Sequence, residues 1–171
     1  MTAVSPHRLI RQLTLEALYE GETSGHPPEA AFRRRLREER EKRPALRGEE
    51  WERRGIAAIE GVQAMRPELD RQIQAAAPKY PVSTLAIVDR NILRLAIWEL
   101  VSDDAAPVAA VINEAVELAH RYGGDTSPSF VNGVLRTVSE RLRGPADGPG
   151  RSGEEPAGRE SRTTTDPTQQ S

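Results

Sequence analysis

The side chains that most often carry out chemistry are few and scattered in this chain of 171 residues. There is no cysteine, which excludes disulfides, thiolate nucleophiles and thiolate metal sites. The three histidines, His7, His26 and His120, include no pair with the spacing of metal ligands on a helix. Gly21 and Gly25 lack the following Lys-Ser/Thr of a phosphate-binding loop. Because no nucleophile, base and orienting group can be assembled, we predict no enzymatic activity, no cofactor and no metal.

A second set of residues that could do chemistry is basic or aromatic. His7, Arg8 and Arg11 lie in the first turns of a predicted helix, and they fit either a solvated face or contacts to phosphates. Arg94 lies in a nearly all-apolar segment, where a guanidinium needs partners. It fits either a tether to carboxylates or backbone carbonyls, or a phosphate contact. Phe130 fits either a plug at the end of a helical bundle or a ring that stacks on a base.

Composition and charge limit the partners that the chain can have. The formal net charge is −2, and residues 144–171 carry all of it, so the remainder is neutral. Bulk charge therefore gives no sign of nucleic-acid binding, and any RNA contact has to come from a local patch. No apolar run reaches the length of a membrane span, and the N-terminus lacks the apolar region of a signal peptide. These features favour a cytoplasmic location.

The elements that must position these residues are helices. Residues 85–101 are apolar on most sides, which predicts a central helix packed against several neighbours. Residues 108–119 show one clean apolar face at helical spacing, and no stretch shows the alternation of a strand. The sequence therefore predicts an all-α fold of six or seven helices. The first helix begins at Ser5-Pro6, and the next three cover about residues 28–43, 48–65 and 67–78.

The last predicted helix carries its own start and packing signals. Ser127 and Pro128 are typical of an N-cap followed by the first helical position. Gly133 lies in the interior of this helix, where glycine costs up to about 1 kcal/mol relative to alanine. We therefore expect another backbone to approach closely at Gly133.

The C-terminal segment differs in composition from the rest. Residues 144–171 contain no Val, Ile, Leu, Met or aromatic residue, but five Gly and four Pro. Such a segment cannot bury enough apolar surface to offset its ordering entropy. We predict a helical domain over residues 1–143 and a disordered tail over residues 144–171.

Three segments carry a resemblance to a known family. DRNILRLAIWEL (89–100), VINEAVELA (111–119) and SFVNGVL (129–135) resemble, in order and spacing, the C-terminal half of the NusB family of bacterial transcription antitermination factors. LTLEALYEG (13–21) resembles the end of the family's first helix, with Thr14 where the family has alanine. Residues 22–80 match only as a pattern of helices.

The resemblance implies a fold, a function and partners. The fold would be two small helical sub-bundles packed side by side. The function would be binding of the boxA element, a short single-stranded stretch of nascent RNA, as a heterodimer with NusE, a protein of the small ribosomal subunit. The complex would join NusA and NusG on RNA polymerase and support ribosomal RNA transcription. The residues implied in RNA binding are His7, Arg8, Arg11, Tyr19, Arg94, Ser129, Phe130 and Asn132.

Two alternatives stay open at this point. The first is a helical adaptor that binds proteins and has no RNA affinity of its own. The second is the NusB-like domain that precedes the catalytic domain of some RNA cytosine methyltransferases, for which we expect residues 144–171 to be too short. This chain also has fewer arginines in its first helix than many NusB proteins, so we expect weak RNA binding without NusE.

Overall fold

A computed structural model of the chain describes residues 4–103 and 106–144. This described part contains six α-helices, two short 3₁₀ turns and no strand, which confirms the predicted all-α fold. The helices are α1 (Pro6–Ser24), α2 (Pro28–Lys42), α3 (Glu49–Ala76), α4 (Ile87–Ser102), α5 (Val108–Tyr122) and α6 (Ser127–Arg143). None of them combines the length and the apolar character that crossing a membrane requires.

The helices form two groups of three that share one core. Helix α1 packs on α2 and α3, and α4 packs on α5 and α6, while α1 and α3 also contact α4. Residues 91–97 of α4 are all buried, as is Leu100, so α4 is the central helix that its sequence predicts. The predicted tail lies outside the described residues apart from Gly144, and the boundary at residue 143 stays a prediction.

Helix α3 corrects one sequence-based boundary. The sequence predicts two helices that meet at Pro67, but the structure has one helix of 28 residues with Pro67 inside it. Val62, Leu69 and Ile73 are buried on both sides of the proline, so the apolar face continues without interruption. Pro67 itself is exposed. Burial of the shared face therefore outweighs the usual cost of a proline in a helix interior.

Two expectations about α6 are wrong. Thr126, rather than Ser127, occupies the N-cap position, and Ser127 is the first helical residue. The Ser127 hydroxyl accepts a hydrogen bond from Gly124 N–H and donates one to Asp89 Oδ2, so it pins the start of α6 to the start of α4. Gly133 is exposed, and a Cβ placed on it would meet no atom within 4 Å, so no backbone approaches it closely.

Candidate nucleic-acid interface

The first turns of α1 present two arginines toward the C-terminal group of helices. Ser5 caps α1 by accepting a hydrogen bond from Arg8 N–H, as the sequence predicts. The Arg8 guanidinium donates from Nε and Nη2 to the two carboxylate oxygens of Glu114 on α5, at 3.0 and 2.8 Å. Arg11 donates from Nε to Glu99 Oε1 on α4 at 2.8 Å. Both arginines therefore hold a carboxylate across the boundary between the two groups.

The two carboxylates differ in their electrostatic surroundings. The hydrogen bonds from Arg8 hold the pKa of Glu114 below its ordinary value. Burial raises the pKa of Glu99, although Arg11 opposes that effect. The pair between Arg8 and Glu114 is thus a solvated surface contact, while the pair between Arg11 and Glu99 is partly withdrawn from water.

His7 lies one residue before Arg8 and faces a different neighbour. Its ring meets that of Trp51 edge to face, with 5.0 Å between centroids. Burial lowers the pKa of His7, and the positive charges of Arg54 and Arg11 lower it further. Arg54, on α3, is a basic neighbour that the sequence did not reveal, because nothing in the sequence relates α3 to the start of α1.

Tyr19 lies on the same side of α1 as Arg8. Eleven residues correspond to about three turns, so the two side chains are about 16 Å apart along the helix axis. Tyr19 is exposed. Near it, the Tyr122 hydroxyl donates a hydrogen bond to Glu16, and burial together with this carboxylate raises the pKa of Tyr122.

Arg94 does not join the exposed basic residues. Its side chain is 4% exposed, and its Nε and Nη2 donate to the two oxygens of Asp70 at 2.7 and 3.0 Å. Its Nη1 donates to Glu22 Oε2 at 3.3 Å. The guanidinium is therefore a tether to carboxylates, the first of its two possible roles. Because it is buried and bound on both sides, we correct the RNA-contact interpretation and remove Arg94 from the candidate set.

Phe130 is half-buried and packs against a second aromatic ring. The ring of Tyr80 meets it edge to face, with centroids 5.7 Å apart and an interplanar angle of 79°. Tyr80 is 55% exposed. Its loop is held by Gln74, which donates to Tyr80 O and accepts from Val82 N–H. Tyr80 was not among the residues predicted from the sequence, because only the tertiary structure brings its ring to Phe130.

The two other candidates on α6 lie beside Phe130 along the helix. Ser129 is exposed. Asn132 is half-buried, and its Oδ1 accepts a hydrogen bond from Arg136 Nε at 3.3 Å. The contact between Ser127 and Asp89 sets where both residues stand relative to α4.

The candidates thus form two groups on the described surface. One group is His7, Arg8 and Arg11 near the C-terminal half of α4, and the other is Ser129, Phe130, Asn132 and Tyr80 near its start. Glu99 lies beside the first group and Asp89 beside the second, ten residues or about 15 Å apart along α4. Tyr19 lies near the second group, since Glu22 on the next turn of α1 contacts Asn91 of α4. That both groups serve one RNA face stays a prediction. In the described residues no cluster of three acidic or histidine side chains could hold a metal ion.

Comparison of sequences places this chain among known proteins. The sequence model of the NusB family matches residues 8–140. A transcription antitermination protein NusB from Roseiflexus castenholzii is 44% identical over 139 residues, which are 80% of this chain and 93% of that protein. Another, from Dehalococcoides mccartyi, is 38% identical over 135 residues, covering 79% of this chain and 90% of that protein.

Comparison of structures agrees with the sequence comparison. T. maritima NusB superposes with a TM-score of 0.66 at 27% identity, covering 81% of this chain and 93% of that one. A crystal structure of the antitermination factors NusB and NusE in complex with dsRNA gives a TM-score of 0.68 at 21% identity, covering 80% and 97%. At 21% identity, the match to this second structure is evidence for a shared fold alone.

Proposed function

Because this chain belongs to the NusB family, whose members are transcription antitermination factors rather than enzymes, we propose that it binds the boxA element of nascent RNA together with NusE. The observation that carries the proposal is the match of residues 8–140 to that family. The known complex of NusB and NusE with dsRNA supports it, since that NusB shares this fold.

The two groups of surface residues would divide the work of RNA binding. Arg8 and Arg11 would contact phosphates, which position a strand without reading its sequence. Phe130 and Tyr80 would stack on bases, since unpaired bases expose faces that aromatic rings can cover. Ser129 and Asn132, on the same end of α6, would address the polar edges of bases.

The internal ion pairs set the expected strength of binding. Arg8 and Arg11 already hold Glu114 and Glu99, so a phosphate has to share or displace a carboxylate. That exchange reduces the net gain from each phosphate contact. We therefore expect weak binding to boxA by the chain alone and tighter binding once NusE adds its own surface. The same complex would join NusA and NusG on RNA polymerase in the cytoplasm and support ribosomal RNA transcription.

A boxA titration with and without NusE, at two salt concentrations, tests the proposal. Arg8→Gln and Arg11→Gln should weaken binding, and each should reduce the salt slope by about 0.7, because one phosphate of the single strand is no longer neutralised. Arg141→Gln, at the exposed far end of α6, is the control and should bind like the wild type. Glu114→Gln should strengthen binding, because it removes the carboxylate that competes for Arg8.

Two outcomes would redirect the proposal. If the Arg8, Arg11 and Phe130 variants all bind boxA like the wild type in the presence of NusE, the RNA face lies elsewhere. If the folded chain binds NusE but boxA binding never exceeds that of NusE alone, the protein is a helical adaptor without RNA affinity.

A further inference from the structure

A cleft of about 540 Å³ opens between α1, α3, the C-terminal half of α4 and the start of α5. Its volume is in the range of small-molecule binding sites. It lies next to the basic turns of α1 but does not involve Arg8, Tyr19 or the aromatic pair of Phe130 and Tyr80. It is therefore distinct from the α6 end of the interface described above.

The inner walls of the cleft are apolar and include one indole. Ile10, Leu95 and Val111 are buried there, and the half-buried Trp98 forms a further wall. Trp98 lies directly over α3 at Gly61, where any Cβ would collide with the indole ring. The missing side chain at Gly61 thus allows the indole to pack closely against the α3 backbone.

The rim of the cleft is charged. His7, Arg11 and Arg54 line it from α1 and α3. Arg54 is exposed and forms no ion pair with any described residue, unlike Arg11, which is bound to Glu99. Glu99 and Asp103 also line the cleft, and Arg11 takes only one oxygen of Glu99. The other Glu99 oxygen can still accept a hydrogen bond from an N–H group of a ligand.

We propose that this cleft binds one nucleotide, with its base against Trp98 and its phosphate at the rim between His7 and Arg54. An aromatic wall suits a base of any type, because every base has a π-face. A guanidinium that is exposed at the rim suits a phosphate, which it can bind through two parallel hydrogen bonds. An uncharged apolar ligand would form no ion pair with the exposed Arg54 guanidinium.

The nucleotide could come from two sources with the same chemistry. It could be a free mononucleotide, or one nucleotide of a single-stranded RNA that also contacts Arg11. The second source rests on the proposed RNA-binding function. The first source does not rest on that function, so titrations with a free mononucleotide and with RNA distinguish the two sources.

The test uses the full chain labelled with ¹⁵N, titrated with AMP, UMP and adenosine and then with a short single-stranded RNA. The indole N–H signal of Trp98, assigned with Trp98→Phe, should shift, while that of Trp51 should move less. AMP should bind more tightly than adenosine because adenosine lacks the phosphate. Arg54→Gln should weaken AMP binding about tenfold, the effect of losing a charged hydrogen bond. The matched control is Arg53→Gln, since Arg53 is also exposed and does not line this cleft.

A second pair of variants tests the cleft by filling it. Ala110 lines the cleft and Ala109 does not, and both are exposed on α5. Ala110→Leu should abolish the Trp98 shift, while Ala109→Leu should leave it unchanged. If RNA shifts Trp98 in an Ala110-sensitive manner and AMP does not, the strand is the source of the nucleotide.

Several results would overturn the proposal. These are the absence of any Trp98 shift with AMP or RNA, equal effects of Arg53→Gln and Arg54→Gln, and unchanged binding in Ala110→Leu. If AMP shifts Trp98 but boxA does not bind in the presence of NusE, the cleft proposal holds and the proposed function fails. If boxA binds with NusE and Ala110→Leu has no effect on the binding of any probe, the proposed function holds and the cleft proposal fails.

Discussion

Arg94 of α4 and Asp70 of α3 form a two-point ion pair, with Nε to Oδ1 at 2.7 Å and Nη2 to Oδ2 at 3.0 Å. Glu22 of α1 meets the same guanidinium at Nη1 and also accepts a hydrogen bond from Asn91. Three helices therefore meet at one buried cation. The network links the N-terminal group of helices to α4 by directional contacts in addition to apolar packing.

The first prediction concerns this network. Arg94→Met should lower the free energy of unfolding by roughly 1–3 kcal/mol, because Asp70 loses its partner while Glu22 keeps Arg90 and Asn91. Urea denaturation measures the loss. Arg71→Met is the control: its pair with Glu68 is exposed, so its effect should stay below about 1 kcal/mol. If folded Arg94→Met protein lost boxA affinity while unfolding like the wild type, Arg94 would be an RNA contact after all.

The second prediction compares two helix glycines. Gly133→Ala should stabilise the protein by up to about 1 kcal/mol, because the added methyl meets open space and alanine favours the helix. Gly55→Ala should destabilise it, because a Cβ there collides with the buried ring of Phe32. Thermal unfolding of both variants distinguishes them. A stabilising Gly55→Ala would mean that Phe32 can move aside at little cost.

The third prediction concerns acid stability. Hydrogen bonds from Arg34, Arg35 and His26 lower the pKa of Glu20 from 4.5 to about 2. Since the folded pKa lies below the unfolded one, the contribution of Glu20 is present above pH 4.5 and is lost as the pH falls from 4.5 to about 2. A ¹³C NMR titration of the carboxyl group should give the low pKa, and Arg34→Gln should raise it. Glu20→Gln should flatten the fall of Tm over this range, and an unchanged fall would contradict the assignment.

The fourth prediction separates stacking from packing at the aromatic pair. Tyr80→Ala should weaken boxA binding in the presence of NusE by roughly 1–3 kcal/mol if the ring stacks on a base. It should scarcely alter the free energy of unfolding, because Tyr80 is 55% exposed. Phe130→Ala should lower both quantities, since Phe130 is half-buried. Tyr80→Phe keeps the ring and should bind like the wild type. Loss of stability without loss of affinity in both alanine variants would make the pair a plug of the bundle.

Sequence periodicity was sufficient for the core and for the helices, apart from the division of α3 at Pro67, because both depend on local spacing. The stripe through Val111, Ile112 and Ala115 could be assigned to one face, and all three side chains are buried. The cap at Ser5 was equally local, since it acts on the amide of Arg8 three residues away. The three motifs of α4, α5 and α6 likewise carried the family resemblance without any knowledge of how the helices pack.

What the tertiary structure alone decided is which distant side chains meet. The partners of Arg8 and Arg94 lie 106 and 24 residues away, and Tyr80 meets Phe130 across 50 residues of chain. Periodicity specifies which face of a helix is apolar, but not the angle and the axial offset at which two helices cross. Those two quantities determine that Arg94 is enclosed by carboxylates while Arg8 stays at the surface. The sequence by itself therefore determined the helices and the family, and the packing of those helices decided which of its charged residues stay at the surface.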